Sequence, residues 1–551
     1  MATYTYIDEE EEIEQQEWDG RSHRKAAFIA GAGAGMAMTI VMLGLLLLGV
    51  TPRSLGNLVA DKIAATAGPG ITEFFIQTIG TLGKQLLFLM VLLGQVVVGG
   101  LLGLLLVRIT GRTGTRQTVW RNSFIISTGA WMLFVVAGLP LLDQSFLGVG
   151  LGTDQIATLI ISFMLFQLFG IVLGYAYFHM VPATYPEPAT NSGMNLAQIE
   201  SRRERLEGEA RSSRRRFVRT VSAVFVLMVG AAIGTKAFGS VPLTEYRASL
   251  GDLKPDGTLE GEITPTGSFY QVSKNAFNPT VDGNTWKLSI DGLVNNPLTF
   301  EKNTLYQMPR QKVYHTLTCI SNPVGGEYIG NAEWSGIPLK TLLDQAGVKP
   351  GVKKVVFTSA DGYKDSITIE KALEQDTTLA VEMNGAPLTN DHGFPARMLI
   401  PNIYGMKNAK WLTGITLVDT EFEGFWQKQG WDNEAAIRTE SSIVSPADGA
   451  TIRAGQPTVL KGIAYAGSRK VEKVEVSLDN GQTWQETKLK ERLGANSWTL
   501  WRFEWTPPAG SKGYVLKVRA TEAGGKVQES RPADPFPSGS AGYHTISLQV
   551  L

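Results

Sequence analysis

Cysteine is nearly absent from this chain, and its scarcity excludes two common kinds of site. The sequence of 551 residues contains one cysteine, Cys319. A single thiol cannot build an intrachain disulfide framework, and it cannot supply a CxxC metal or redox site. Taken alone, such a cysteine is most often a small buried apolar residue. The role of Cys319 therefore has to be inferred from the residues around it.

Histidine is scarce as well, and neither sign of charge is in excess. The chain has five histidines, and 51 Lys and Arg residues balance 51 Asp and Glu residues. Zero net charge gives no reason to expect nucleic acid as a partner. Haem held between helices needs paired histidines, but His23 and His179 only flank the long apolar segments. The sequence also lacks a dinucleotide fingerprint and an iron–sulfur ligand set.

The first half of the chain is dominated by long apolar runs. Four of them have no Asp, Glu, Lys or Arg in their interior, at 26–50, 85–107, 123–142 and 156–179. Each is long enough for a helix that crosses the bilayer core, which takes about 20 residues. We predict an acidic cytoplasmic tail at 1–25. A membrane region with about five helices follows at 26–240, the fifth at 217–238.

Arginine and lysine indicate how these helices are oriented. Basic residues precede the first span, fill the loop RITGRTGTRQTVWR at 108–121, and follow the fourth span at 201–219. The loop LDQSFLGVGLGTDQ at 142–155 has neither Arg nor Lys. Because cytoplasmic loops collect these residues, we expect a multi-pass cell-membrane protein with a cytoplasmic N-terminus. The partly amphipathic stretch 51–84 predicts a helix lying on the membrane surface.

The fifth apolar run has a distinctive basic start. SRRRFVR at 213–219 stands directly before VSAVFVLMVGAAIG, a run with the length of a signal-peptide core. It resembles the twin-arginine export signature, although these arginines can equally anchor a cytoplasmic helix end. An export signal here predicts that residues 240–551 reach the extracytoplasmic side already folded, as a cofactor inserted in the cytoplasm requires. No small-x-small site follows, so we expect an uncleaved anchor.

Short alternating strands and turns replace the apolar runs in the second half. TWKLSIDGLV, KKVVFTSADGY and WLTGITLVDT predict strands, and PLKTLLDQAG and TIEKALEQD predict short helices. This mixture predicts an α+β domain at 263–440. From 443 to 551 the pattern is purely β, with Asn480-Gly481 as a hairpin signal. We predict an immunoglobulin-like β-sandwich without its disulfide.

Ordered motifs in this half carry a family resemblance. They are FYQVSKNAFNP at 269–279, LTCISN at 317–322, DHGFPARMLIPNIYGMKNAKWLTGI at 391–415 and EVSLDNGQTW at 475–484. The region resembles the sulfite oxidase family of molybdopterin-dependent oxidoreductases, in membrane-anchored bacterial or archaeal form. Its last part is similar to the family's C-terminal dimerisation domain. The resemblance covers just over half of the chain and does not reach the membrane half.

The resemblance implies a molybdenum–molybdopterin cofactor and a set of site residues. In the family, two dithiolene sulfurs, oxo groups and a cysteine thiolate hold the metal, which makes Cys319 the metal ligand and places Asn322 beside it. A soft thiolate suits such a metal. The remaining cofactor-binding candidates match the pterin and phosphate motifs: Asn275, His392, Arg397, Lys407 and Lys410. Lys407 can alternatively be a solvated loop residue, whereas Arg397 and Lys410 lie among apolar neighbours, where an unpartnered cation is costly.

Two departures from the family bear on the substrate. Sulfite-oxidising members follow the ligand cysteine with paired arginines, whereas this chain has PVGG at 323–326. Trp431, a catalytic candidate, stands where those members carry a tyrosine. Because a dianion needs positive charge at its site, sulfite becomes one of several candidates. Uncharged S-oxides and N-oxides are the others.

The resemblance predicts an extracytoplasmic enzyme that transfers an oxygen atom in a two-electron reaction on a small substrate. The alternatives are an S-oxide or N-oxide reductase on the same fold, and a non-catalytic membrane-anchored binding protein. The expected partners are membrane lipid, the small substrate, a cytochrome or quinone-linked electron-transfer protein, and a second copy of the chain bound through 443–551.

Overall fold

The computed structural model of this chain describes most of both halves. The described residues are 9–47, 81–111, 116–141, 155–180, 215–226, 261–275, 278–510 and 512–551, together with 201, 205, 208 and 212. The predictions for 51–80, for the outer loop at 143–154 and for the end of the fifth apolar run lie outside the described residues. The helices form one compact unit, and the part from residue 261 onward belongs to a second.

Helices fill the described part of the membrane half. They are α1 (Glu9–Leu47), α2 (Thr81–Thr110), α3 (Arg116–Leu133, continued by a π-helical turn at Phe134–Gly138 and by Leu139–Leu141), α4 (Gln155–Met180) and α5 (215–226). The stretches long and apolar enough to cross a membrane are His23–Leu45, Leu89–Thr110, Arg116–Gly138 and Leu159–Met180. Apolar helices therefore occupy the first four predicted spans.

Two helices extend beyond their predicted limits. Helix α1 begins at Glu9, so much of the acidic segment expected as a separate tail is continuous with the first span. Helix α3 begins at Arg116, inside the predicted loop 108–121. Glu, Gln and Arg are good helix formers, and acidic residues are favourable near a helix N-terminus. An apolar run alone marks the lipid-compatible part of a helix, not its ends.

Glycines allow α1 and α2 to pack in direct backbone contact. A methyl group added at Gly31 would collide with the carbonyl oxygen of Gly99 and the Cα of Gly103. Helix α5 also contacts α1, because the ring of Phe217 lies against Gly33. Close backbone approach of this kind is how apolar helices gain van der Waals contact when lipid is as apolar as their own side chains.

Replacing Gly31 with alanine should therefore destabilise the helical unit. Overpacking of a tight contact costs about 1–3 kcal/mol. The matched control is Gly94→Ala, because a methyl group there meets no atom within 4 Å and alanine is the better helix former by about 1 kcal/mol. Thermal unfolding of detergent-solubilised protein, followed by circular dichroism, should show a lower midpoint for G31A than for G94A. Equal midpoints would contradict the close packing.

The α+β part of the second unit contains two sheets. Its strands are β1 (Lys287–Gly292), β2 (Leu298–Glu301), β3 (Gln311–Thr318), β4 (Ile329–Pro338), β5 (Lys354–Ser359), β6 (Lys364–Thr368), β7 (Thr378–Met383), β8 (Ala386–Pro387), β9 (Arg397–Leu399) and β10 (Leu412–Val418). Its helices are α6 (Lys302–Gln307), α7 (Leu339–Ala346) and α8 (Ile369–Ala372). The first sheet has the order β2-β1-β10-β5-β6 and the second β3-β4-β7-β8, with β9 also paired to β7. The strands and helices predicted for this part are present.

Helix α7 shows how this core is assembled. Its buried residues, Leu339, Leu342, Leu343 and Ala346, recur at the spacing of one helical face. They pack in one cluster with side chains of the first sheet, among them those of β1, β5 and β10. The helix ends at Gly347, which has a left-handed φ of 70°, a conformation that glycine adopts without strain.

The C-terminal part is β-rich, as predicted. Its strands are β11 (Glu440–Ser445), β12 (Thr451–Ile452), β13 (Thr458–Tyr465), β14 (Val471–Ser477), β15 (Gln485–Glu486), β16 (Lys488–Leu489), β17 (Thr499–Trp505), β18 (Lys512–Glu522) and β19 (His544–Val550). They form two sheets, β11-β13-β17-β16 and β12-β19-β18-β14-β15. A single buried cluster includes side chains from both sheets. The predicted turn at Asn480-Gly481 lies between β14 and β15, but it is longer than two residues because Val476 pairs with Gln485.

Candidate functional site

Cys319 follows immediately after β3 and lies in the interior of the second unit. Its side chain is 7% exposed, and its Sγ lies 3.1 Å from the Oγ of Ser321. Its backbone N–H donates to the carbonyl of Tyr328 at 2.9 Å, across the loop that joins β3 to β4. The end of a sheet strand thus fixes the position of the only thiol.

Asn322 fixes the loop that follows Cys319. Its side-chain Oδ1 accepts the N–H of Tyr328 at 2.9 Å, and its own N–H donates to the carbonyl of Cys319 at 3.0 Å. Ser540 in turn donates to the carbonyl of Asn322 at 2.7 Å. The structure therefore places Asn322 beside the ligand candidate, with its amide oxygen engaged in shaping the loop.

Two tyrosines, Tyr270 and Tyr328, lie within electrostatic range of this thiol. Burial raises the pKa of Tyr270 well above its usual range, and negative charge on Cys319 acts in the same direction. The pKa of Tyr328 is raised by the same two causes in the same order. The two rings lie 6.3 Å apart between centroids. Both hydroxyls stay protonated, so they are available as hydrogen-bond donors near the sulfur. The sequence analysis did not single out either tyrosine.

The motifs HGFPAR and KW meet at Gly393. A Cβ at this position would come within 3.0 Å of the Cβ of Lys410 and 3.1 Å of the Cβ of Arg397. Gly393 also has φ of 106°, which L side chains rarely adopt. Glycine is therefore required here, and it brings two of the predicted cofactor-binding cations together.

His392 is held as a neutral imidazole. Its Nε2 lies 2.8 Å from the carbonyl oxygen of Thr266, which only accepts, so Nε2 carries the proton and Nδ1 keeps a lone pair. Burial lowers the pKa of His392 to about 4, against the opposing effect of this hydrogen bond. The ring therefore offers an acceptor to a ligand near neutral pH, and it adds no positive charge for a phosphate group.

Arg397 is a buried cation that lies against a backbone carbonyl and an aromatic ring. One terminal nitrogen donates to the carbonyl of His392 at 3.3 Å, and the guanidinium lies 5.1 Å from the ring centroid of Trp334. Within the described part of the chain, its Nε has no hydrogen-bond partner and no carboxylate forms an ion pair with it. Burial lowers the pKa of Arg397 to about 10. A buried charge of this kind fits an anionic ligand.

Lys410 and Asn275 are the remaining cofactor-binding candidates. The Lys410 ammonium donates to the carbonyl of Asp391 at 3.1 Å and lies 4.3 Å from the ring centroid of Trp411. The Asn275 amide donates to Asp361 at 2.7 Å. Asp361 is a site residue that the sequence analysis missed, because a single acidic residue in a turn (SADGY) carries no motif.

Lys407 lies apart from this cluster. Its ammonium donates to Asp365 at 2.8 Å, to the carbonyl of Ser366 at 2.9 Å and to Asn433 at 3.3 Å. The side chains of Lys407 and Asp365 are 3% and 0% exposed. All three ammonium protons are engaged within the protein, and the burial of Lys407 excludes the alternative of a solvated loop residue. The predicted cofactor contact of Lys407 stays a prediction. Lys407 is one half of a buried ion pair.

Trp431 lies near the cysteine loop as part of an apolar cluster. It packs with Ile320 and Tyr404, and its ring meets Phe536 edge-on at 5.3 Å. The structure therefore brings it to the neighbourhood of Cys319 as a packing residue. Among the described residues, we observe no contact that directs the polar group of the Trp431 side chain at the thiol.

The protein by itself offers few metal ligands here. Among the described residues, no group of three or more His, Cys, Asp and Glu side chains can hold a metal ion. A metal bound at Cys319 would take its other ligands from an organic cofactor. The unpartnered Nε of buried Arg397 and the neutral His392 fit such a molecule, one that carries both an anionic group and hydrogen-bond donors. These features fit a domain that binds a large anionic cofactor next to one thiol.

Comparison with known proteins agrees with this class. Residues 275–426 match the oxidoreductase molybdopterin binding domain, and residues 433–533 match the Mo-co oxidoreductase dimerisation domain. The chain is 31% identical to the mitochondrial sulfite oxidase of Homo sapiens over 321 residues, which cover 50% of this chain and 58% of that protein. It is 31% identical to the sulfite oxidase of Gallus gallus over 314 residues, covering 48% and 68%. A crystal structure of the sulfane dehydrogenase SoxCD from Paracoccus pantotrophus has a TM-score of 0.47 and 24% identity, covering 54% and 82%.

The chain belongs to the sulfite oxidase family of molybdopterin-dependent oxidoreductases. It spans 58% to 63% of the length of the human and mouse relatives that it matches. The cofactor of this family is molybdenum–molybdopterin, and the residues around Cys319, His392 and Arg397 fit it.

Replacing Lys407 with methionine should destabilise the second unit strongly. The change leaves the buried carboxylate of Asp365 without its cation, which typically costs 3–5 kcal/mol. In the double variant K407M/D365N the stranded charge is removed, so part of that stability should return. Chemical denaturation of the purified chain measures both effects. If K407M is as stable as the unmodified protein, the assignment of Lys407 to a structural ion pair is wrong.

Proposed function

We propose that this chain is a membrane-anchored molybdenum-cofactor oxidoreductase that transfers an oxygen atom to or from a small substrate on the extracytoplasmic side. The observation that carries the proposal is that one family fold contains both a buried thiol and a buried guanidinium. The thiol is that of Cys319, directly after β3. The guanidinium is that of Arg397 on β9, which has no carboxylate partner among the described residues. When bound, the cofactor supplies the two-electron oxygen-atom chemistry.

Each residue of this chain would have a limited task. Cys319 supplies a soft thiolate ligand, which metal coordination keeps deprotonated. Arg397 neutralises the cofactor's anionic tail through its terminal nitrogens, and Lys410 adds a point charge beside it. The lone pair of His392 accepts a hydrogen bond, and Asn275 is held in place by Asp361. Tyr270 and Tyr328 keep protonated hydroxyls near the sulfur. Asn322 and Trp431 shape and pack the loop that carries it.

Several observations support membrane anchoring. Four helices are long and apolar enough to cross a bilayer. Arg108 lies at the end of α2 and Arg116 at the start of α3. Because basic residues collect in cytoplasmic loops, we assign the connection between these two helices to the cytoplasm. Phe217 of SRRRFVR packs against α1, which supports a retained anchor that follows a twin-arginine type signal. The N-terminus would then be cytoplasmic and residues 240–551 extracytoplasmic.

The partners follow from the domains. The match of residues 433–533 to a dimerisation domain supports a homodimer formed through 443–551, and the two sheets that share one core support an immunoglobulin-like sandwich there. No haem or iron–sulfur ligand set is evident in the sequence, so a separate cytochrome or quinone-linked protein would exchange electrons with the site.

Molybdenum ligation tests the proposal. Protein purified from membranes of a host that makes the cofactor should contain about one molybdenum per chain, by elemental mass spectrometry. X-ray absorption at the molybdenum edge should show one sulfur ligand fewer in Cys319→Ser, because a hydroxyl does not replace a soft thiolate. Ser321→Ala is the matched control and should keep the full sulfur set. A metal-free chain beside a normally loaded molybdoenzyme would instead favour the non-catalytic binding protein.

A second candidate function is the reduction of an uncharged S-oxide or N-oxide. The loop after Cys319 reads Pro323-Val324-Gly325-Gly326, and the groups around the thiol are tyrosine and serine hydroxyls. Hydroxyl donors stabilise the oxygen of a neutral oxide, whereas a dianion such as sulfite needs cations.

Substrate turnover distinguishes the two candidates. We expect reduction of dimethyl sulfoxide or trimethylamine N-oxide with reduced viologen to exceed sulfite oxidation with ferricyanide in kcat/KM. Val324→Arg should lower the KM for sulfite by roughly tenfold, as one added charge a few ångströms away implies, and leave neutral oxides unaffected. Val324→Leu controls for side-chain size. A wild-type preference for sulfite would refute the second candidate.

A further inference from the structure

Trp411, the residue after Lys410, has a backbone conformation that large side chains rarely adopt. Its φ is 53°, in the left-handed region where a bulky residue is a true outlier. Such outliers persist only where the surrounding structure maintains them, and they concentrate at functional sites. The contacts of Trp411 indicate what this conformation achieves.

The turn at 390–393 holds the indole of Trp411 by its edge. The indole Nε1 donates to the carbonyl of Asn390 at 2.6 Å, and the backbone N–H of Trp411 donates to the carbonyl of Gly393 at 3.3 Å. These two bonds join both ends of the turn to one residue. The side chain is 2% exposed, so the ring is enclosed as well as bonded.

The ammonium of Lys410 lies over the face of this ring. Its Nζ is 4.3 Å from the ring centroid, and it donates to the carbonyl of Asp391 at 3.1 Å. In an extended strand, neighbouring side chains point to opposite faces, so Lys410 and Trp411 would diverge. The left-handed backbone at Trp411 instead lets both side chains reach consecutive carbonyls of one turn.

The same turn also contacts Arg397. A terminal nitrogen of its guanidinium donates to the carbonyl of His392 at 3.3 Å. Three consecutive carbonyls, at 390–392, therefore accept bonds in order from Trp411, Lys410 and Arg397. The two cations are held by adjacent peptide groups, and the indole is the third side chain of the set.

We propose that Trp411 is a positioning residue for Lys410, holding the ammonium over its ring and beside the carbonyl of Asp391 so that this lysine meets the anionic tail of the cofactor as a fixed charge. A free lysine side chain loses much rotamer freedom when it binds a ligand, and a cation that is already held has lost that freedom beforehand. The aromatic face stabilises a desolvated ammonium without adding a negative charge, which would oppose the ligand. The proposal rests on the proposed function, in which Lys410 adds a charge beside Arg397.

A double-mutant cycle tests the proposal on the full chain produced in a cofactor-making host. The variants are Trp411→Leu, Lys410→Met and the pair, and the readouts are molybdenum per chain and the half-life of cofactor loss after purification. We expect W411L to shorten that half-life about tenfold, as the loss of a partly desolvated cation–π contact implies. The effect should vanish in the K410M background, because Trp411 acts only through Lys410.

Trp286 supplies the matched control for the loss of a buried indole. It is 4% exposed, its Nε1 donates to the carbonyl of Leu412 at 2.9 Å, and it packs in the apolar core of the α+β part. Trp286→Leu should lower the melting temperature of the apoprotein as W411L does, because both changes remove a large buried side chain. It should leave the half-life of cofactor loss unchanged.

A graded pair of variants covers the case in which W411L does not fold. Trp411→Phe keeps a weaker aromatic face but has no N–H for Asn390, so it should shorten the half-life about threefold. Trp286→Phe also removes one indole N–H and should have no effect on retention. Equal half-lives for W411F and W286F would overturn the proposal.

A second readout needs no cofactor. An N-hydroxysuccinimide ester should acylate Lys410 of the W411L apoprotein about fivefold faster than in the unmodified apoprotein, because the ammonium is no longer held on the ring. Peptide mass spectrometry measures this rate, with Lys312, whose side chain is 72% exposed, as the internal reference. The W286L apoprotein should show the unmodified rate at Lys410.

Other outcomes would also overturn the proposal. They are normal cofactor retention in W411L, equal losses from W411L with and without Lys410, the same loss in W286L, and an unchanged rate of acylation. Absence of molybdenum from the unmodified chain refutes the proposed function and this proposal with it. A loaded unmodified chain with unchanged variants refutes only the role of Trp411.

Discussion

A buried guanidinium with no carboxylate partner among the described residues is the constraint around which this site is organised. Arg397 is enclosed in the sheet formed by β3, β4, β7 and β9, and a charge in that position is tolerable only beside a stacking ring, carbonyl dipoles and an anionic ligand. Trp334 supplies the ring and His392 supplies a carbonyl. Gly393 leaves room for Lys410 to approach. The surrounding fold therefore prepares a place for a molecule that carries negative charge.

The segment that enters the second unit, residues 262–275, is part of this preparation. Thr264 hydrogen-bonds Asn331 of β4 through backbone and side chain, and Phe269 packs edge-on against both Trp334 and His392. Tyr270 then reaches the region of Cys319, and Asn275 meets Asp361. The segment 262–275 therefore has contacts near Cys319, at His392 and at Asp361. The site is assembled from segments distant in sequence, so it forms only when the whole unit is folded.

Sequence reasoning gives site candidates where a motif and a local pattern coincide. Cys319, Arg397 and Lys410 lie in ordered motifs among apolar residues, and the structure brings Arg397 and Lys410 together at Gly393. Lys407 lies in the same motif, but the direction of its side chain depends on its hydrogen bond to Asp365, which is 42 residues away in the sequence. No local sequence pattern reveals that acceptor. Asp361 and Tyr270 depend on tertiary contacts alone.

The bond that sets the tautomer of His392 is made by the backbone of residue 266, not by a side chain. The identity of that residue is therefore irrelevant to the bond, provided that the local turn is kept. Substitution of the threonine would remove the hydroxyl that accepts from Asn384 at 3.2 Å, but it would leave the backbone carbonyl that holds the imidazole. Most single substitutions at residue 266 would therefore leave this hydrogen bond, and the tautomer of His392 that it sets, unchanged. A comparison of residue identities at position 266 would not reveal this hydrogen bond, because the backbone makes it.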